Sequence, residues 1–199
     1  MIVQYKIMKI VMLNKLEDAH YVPVHKKQRL NIGKYEIETE RIEYKMKNQL
    51  EVRYLNLREG EKQYEIIHYL FIGWTEIEII KSEKLIDLIQ IVNQTKPTIV
   101  HCGLRKKQKI LFIEIFNLTF SSGTGRTGTY ITVDIIIQLI NRSIDSLSTM
   151  KLDVMGIVNQ LRQERINMVK TTVNILCLGH FSFQLKRDCS FLGTIFIDS

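Results

Sequence analysis

Only two prolines, Pro23 and Pro97, and ten glycines occur in 199 residues. Little of the chain is therefore linker, and one domain is the expectation at this length. Cysteine is also scarce. Cys102, Cys177 and Cys189 are too few and too scattered for a disulfide framework, and they lack metal-ligand spacing. That pattern predicts a reduced, cytoplasmic setting (or the cytoplasmic part of a larger protein), with no metal and no cofactor. No uninterrupted apolar run reaches about 18 residues, so no membrane span is expected. The opening MIVQYKIMKIVML holds Lys6 and Lys9 inside its apolar run, which makes a poor signal peptide. No block of about five like charges marks a nucleic-acid arm, so nucleic acid is not an expected partner.

What remains is an ordinary globular composition, 45% hydrophobic and 25% charged. The net charge of +7 suits an anionic substrate, although scattered solvated lysines are the simpler account of it. Residues 7–13 read as a short buried strand. Lys34–Glu40, Leu50–Leu57 and Tyr64–Ile72 alternate apolar with polar residues, the mark of half-buried strands, with Glu59-Gly60-Glu61 as a hairpin turn. Ser82–Asn93 reads as an amphipathic helix that Ser82 can cap, with Leu85, Ile86, Leu88, Ile89 and Ile91 on its apolar face. Thr127–Asn141 is apolar almost throughout and is expected to be a deeply buried helix. Asp153–Glu164 is a further helix with Val154, Ile157, Val158 and Leu161 inward. Strands first and helices later predict a mixed α/β domain.

The chain is organised around a broken stretch. Pro97-Thr-Ile-Val-His101-Cys102 is a strand-like run ending on a thiol. Eighteen residues later comes Ser121-Ser122-Gly123-Thr124-Gly125-Arg126-Thr127-Gly128, a glycine-rich turn opening a helix. Such a turn is a physical anion site, because free N–H groups and the helix dipole converge there. It is also a literal G-x-G-x-x-G, the fingerprint of a dinucleotide site. That reading wants an acidic residue about 20 positions on at a strand end. Asp145 falls instead in a polar loop, and an arginine inside the turn suits a phosphate monoester better. Cys102 taken alone reads as a buried structural thiol.

Joined across residues 103–120, the two halves read HCSSGTGRTG. This resembles the signature loop of the protein tyrosine phosphatase catalytic domain, H-C-S-A-G-x-G-R-S/T-G. Other segments carry the same resemblance. Met1–Tyr5 with Lys9–Leu16 is similar to M-I-W-E-Q followed by V-I-V-M-L-T-x-L. His68–Glu76 is similar to the movable loop H-F-x-F-T-x-W-P-D, with Trp74 on its tryptophan, Thr75 on its proline and Glu76 on its aspartate. Asp153–Arg165 places Arg162 and Arg165 on that family's paired arginines, and Met168–Asn174 is similar to M-V-Q-T-x-x-Q.

The resemblance implies a largely antiparallel, twisted mixed sheet flanked by helices, acting on phosphotyrosine-containing protein substrates. It implies Cys102 as nucleophile, Arg126 as phosphate clamp and Glu76 as general acid. Thr127 would stabilise the departing thiolate, and Ser121, Ser122, Gly123, Thr124 and Gly125 would donate backbone N–H groups. His101, Trp74 and Asn174 are supporting residues, Asn174 standing where the family's water-positioning glutamine would be. The implied organisation is a partial domain over 1–174, lacking the family's N-terminal third and its substrate-stacking tyrosine, then a tail over 175–199 of unknown structure. Residues 103–120 interrupt the loop, and their removal restores its spacing, as translated non-coding sequence would. A phosphotyrosine-binding pseudophosphatase is the alternative to an enzyme.

Overall fold

The structure, a computed structural model, describes residues 2–14, 21–75, 78–92, 97–102, 123–143, 151–189 and 196–197. It divides into two units, Met1–Thr75 with Val92–Gly123, and Glu76–Ile91 with Thr124–Ser199.

The first unit is a six-stranded sheet. Its strands are β1 (Lys9–Met12), β2 (Arg29–Ile32), β3 (Tyr35–Lys45), β4 (Leu50–Glu59), β5 (Lys62–Phe71) and β6 (Thr98–His101), in the order β2-β3-β4-β5-β1-β6. β2, β3, β4 and β5 pair antiparallel with one another in turn, whereas β1 is parallel to both β5 and β6. The sheet is thus mixed and largely antiparallel, as its alternating strands require. The expected β4–β5 turn forms at Gly60, whose φ of +58° is left-handed and favours glycine. Ile10, Met12, Val22, Leu55, Leu57, Ile66 and Leu70 make one buried cluster on this sheet.

β4 departs from its half-buried expectation. Arg53 and Asn56, on its polar positions, are buried as deeply as its leucines. Strands on both sides shield β4, and both side chains donate hydrogen bonds, although Arg53 Nε and Asn56 Oδ1 are buried without a partner among the described residues. Arg53 Nη1 donates to the carbonyls of Pro23 at 2.7 Å and Val24 at 2.6 Å. Asn56 Nδ2 donates to Glu40 Oε1 at 3.0 Å. Such donor bonds offset much of the cost of burying these groups.

The second unit is mainly helical. It comprises most of α1 (Ser82–Val92), with α2 (Gly125–Arg142), α3 (Val154–Glu164) and α4 (Thr172–Cys189). Two short strands, β7 (Lys151–Leu152) and β8 (Phe196–Ile197), pair in parallel. α2 packs against α3 and α4. Asp153 caps α3 by accepting from Gly156 N–H at 2.6 Å. Ser82 does not cap α1. Lys81 O already accepts the Leu85 N–H, and the Ser82 hydroxyl meets His180 Nδ1 at 3.1 Å instead. The tail beyond residue 174, which shows no clean period, carries most of α4. No helix among the described residues is long and apolar enough to cross a membrane.

α2 is buried differently from its apolar pattern. Arg126 to Tyr130, Thr132, Val133, Asp134 and Ile136 are buried, while Leu139 is exposed and Ile131, Ile135, Ile137 and Ile140 lie between. The threonines can enter the interior because their hydroxyls bond back one turn. Thr129 Oγ1 donates to Gly125 O at 3.2 Å, and Thr132 Oγ1 to Gly128 O at 2.9 Å.

Candidate active site

Each half of the broken stretch takes the local structure its residues imply. In the first unit, β-branched Thr98, Ile99 and Val100 form β6 beside β1. The pairing continues past the strand, where Leu13 N–H donates to His101 O at 2.9 Å. Cys102 follows directly. Among the described residues it forms no disulfide, and it is 1% exposed.

Behind this strand end lies a buried polar group. The Tyr21 hydroxyl sits 2.5 Å from His101 Nε2 and 3.2 Å from His68 Nε2. Burial holds His101 at a pKa of about 4. Burial, with repulsion from His101 and Arg53, holds His68 at about 3. Burial also pushes the Tyr21 phenol well above its ordinary value. Both imidazoles are therefore neutral near pH 7. Tyr21 carries no signal in the sequence pattern; only the fold brings residues 21, 68 and 101 together.

These histidines fix the sign of an acid effect on stability. An unfolded histidine binds its proton near pH 6.5, whereas these folded ones do not until about 3 and about 4. The unfolded state binds more protons between those limits, so stability falls as pH drops through that window. The melting temperature should decline from pH 7 to pH 5, ahead of the range where ordinary carboxylates titrate. Thermal melts that stay flat across that interval would contradict the buried neutral pair.

Trp74 follows β5 and is buried, and Thr75 beside it is exposed. A Cβ on the preceding Gly73 would lie 2.9 Å from the Phe71 ring and from Gln49 Oε1, so a side chain there would force those two to shift. Glu76, Ser121 and Ser122 lie outside the described residues, as does Asp145 of the dinucleotide reading.

In the second unit, α2 begins at Gly125, with Arg126 and Thr127 in its first turn and both buried. Thr124 occupies the N-cap but makes no side-chain hydrogen bond to the helix. The first-turn N–H groups have no acceptor within the helix, and the positive end of its dipole lies here. A loop is laid against this turn. Thr124 O accepts from Gly128 N–H at 3.1 Å and from Val169 N–H at 3.0 Å. Arg162 holds the same loop, its Nε donating to Met168 O at 3.0 Å. That is a structural task for the first of the two arginines read from the sequence.

Asn174 also reaches the turn. A Cβ on Gly125 would lie 2.6 Å from Asn174 Oδ1. The same oxygen accepts from Thr171 Oγ1 at 2.6 Å and from Thr171 N–H at 3.3 Å, while Thr171 Oγ1 accepts from Asn174 N–H at 3.3 Å. This reciprocal pair is a capping box for α4, with asparagine in the usual glutamate or glutamine place. The structure thus gathers Thr124, Gly125, Arg126, Thr127 and Asn174 at one helix start in the second unit. His101, Cys102 and Trp74 belong to the first unit, which Gly123 closes.

A strand that runs through His101 into Cys102, and a glycine turn opening a helix on Arg126-Thr127, match the two halves of the signature read from the sequence. The family profile described as protein-tyrosine phosphatase matches residues 1–107 and 118–180. The chain belongs to the protein-tyrosine phosphatase family. Its break over 108–117 falls inside the segment that divides the signature. The chain is 28% identical over 166 residues to Tyrosine-protein phosphatase 3 of Schizosaccharomyces pombe, covering 75% of this chain and 48% of that protein. It is 27% identical over 182 residues to human Tyrosine-protein phosphatase non-receptor type 9, covering 86% and 29%. It spans less than half the length of these relatives. The catalytic domain of human protein tyrosine phosphatase non-receptor type 18 shares the fold at a TM-score of 0.71 and 17% identity, over 92% of this chain and 62% of that one.

Proposed function

We propose that this chain is built to hydrolyse phosphotyrosine on proteins through a phosphocysteine intermediate. The observation that carries this is the local form of the signature: buried Cys102 directly after a half-buried strand, and Arg126 in the first turn of a helix whose N-cap, Thr124, makes no side-chain hydrogen bond to it. In this reading the Cys102 thiolate attacks phosphorus, and the tyrosyl oxygen leaves with a proton from Glu76. Arg126 grips two phosphate oxygens with its planar fork, as a lysine cannot. The N–H groups of Ser121 to Gly125 hold the remaining charge. Thr127 stabilises the thiolate when water releases phosphate.

In sequence, residues 103–120 separate Cys102 from Ser121, and their removal restores five residues between Cys102 and Arg126. The deciding assay compares the chain with a version lacking 103–120 on a phosphotyrosyl peptide. The shortened chain should release phosphate with a burst equal to the enzyme concentration. No burst and no turnover from a folded shortened chain would end the catalytic reading. One observation favours the second reading, a phosphotyrosine-binding module without turnover. The Asn174 carboxamide oxygen is already committed to Thr171, so the group in the water-positioning place is engaged in capping α4. Peptide binding without phosphate release identifies that outcome.

A further inference from the structure

We propose that His68 is a positioning residue for His101: through the shared Tyr21 hydroxyl, it holds the His101 imidazole in the tautomer with its proton on Nδ1. Nε2 of both rings points at the one phenolic oxygen, at 3.2 Å from His68 and 2.5 Å from His101. The rings stand edge-on and tilted to the tyrosine, with centroids 5.9 and 5.7 Å away. A hydroxyl has one proton, so it donates to one imidazole and accepts from the other.

His68 decides which. Its Nδ1 is buried and has no hydrogen-bond partner among the described residues. A proton on that nitrogen would be an orphaned buried N–H, a rarer and costlier state than an unpaired lone pair. The neutral ring therefore carries its proton on Nε2 and donates to Tyr21. The tyrosine proton is then directed at His101 Nε2, which must present a lone pair. The two lengths agree, since O–H···N bonds are shorter than N–H···O bonds. His101 is left with its proton on Nδ1, the ring nitrogen next to its own main chain, which runs directly into Cys102. The consequence for catalysis rests on the reading of Cys102 as nucleophile; the tautomer does not.

The test is two-bond proton–nitrogen correlation on the full chain with nitrogen-15 histidine, at pH 7.5. His101 should show its proton on Nδ1 and His68 on Nε2. The reverse in either ring overturns the proposal. His68→Phe removes the donor, and His101 should then exchange between tautomers. His68→Gln, which restores an N–H at similar reach, should return the single form. An unchanged His101 spectrum in folded His68→Phe also overturns it, and if that variant does not fold, the native and His68→Gln spectra decide. A phosphotyrosyl-peptide assay on the folded chain lacking 103–120, run beside the spectra, separates the two readings. Absent turnover with the expected tautomers defeats the catalytic reading alone, and turnover with the reversed tautomers defeats this one alone.

Discussion

In the chain lacking residues 103–120, Cys102→Ser should lower phosphotyrosine hydrolysis by roughly 10⁴–10⁶-fold, to the background rate, while leaving peptide binding in place. Only the thiolate is a competent nucleophile near neutral pH, and a serine hydroxyl without an adjacent base is not. The donors that hold phosphate are backbone N–H groups and Arg126, and the substitution leaves both intact. Cys102 is also 1% exposed, so a buried structural thiol is the competing account of the residue. The two accounts part on which property moves. A structural thiol replaced by serine buries a hydroxyl, costing about 1–3 kcal/mol of stability where it is unpaired, with turnover per folded molecule unchanged. Initial rates normalised to the folded fraction, read beside a urea melt, distinguish them. Undiminished turnover would remove Cys102 from the mechanism.

Gly128→Ala should cost about 1–3 kcal/mol or more. The new Cβ would lie 2.5 Å from Val169 N and 3.3 Å from Met168 C, which are backbone atoms that cannot swing aside as a flexible side chain could. The loop has little freedom to retreat. Val169 N–H is bonded to Thr124 O, and Arg162 holds Met168 O. Val169 itself sits at φ +55°, a left-handed conformation that costs a β-branched residue energy and is kept only by its surroundings. Relieving the clash means breaking the bond that ties the loop to the N-cap of α2. The urea midpoint should fall with little change in slope. A midpoint equal to that of the unsubstituted chain would show that the loop can move, and that it does not fix the helix start.

The legible part of the fold is the part encoded by short-range pattern. Leu50–Leu57 and Tyr64–Ile72 alternate, and β4 and β5 lie over them. The β-branched run before His101 is β6, and the apolar spacing of α1 and α3 is visible directly. The glycine turn before Thr127 announces the start of α2, because glycine and threonine there favour a turn and a helix entry over a strand. Thr127–Asn141 misled in one respect. Its isoleucines advertise a wholly buried helix, yet burial takes in the threonines and Asp134 together with Tyr130, Val133 and Ile136, and leaves Leu139 exposed. Hydropathy cannot register a hydroxyl satisfied by its own preceding turn. The capping box at Thr171 and Asn174 has the right spacing in sequence, but the resemblance to a water-positioning motif drew the reading toward chemistry instead.

By itself, then, the sequence determined the family, the strand that leads into Cys102 and the helix that carries Arg126 in its first turn. Residue types at fixed local spacing carry those, and a short segment folds largely by its own periodicity and turn chemistry. Tertiary structure alone decided that β1 lies parallel between β5 and β6, and that Tyr21 bridges two histidines 47 and 80 positions away. It also decided that residues 168–169 press on Gly128. Each of those is a contact between segments distant in the chain. Its energy depends on which groups burial leaves without water, and that is a property of packing which no local pattern records.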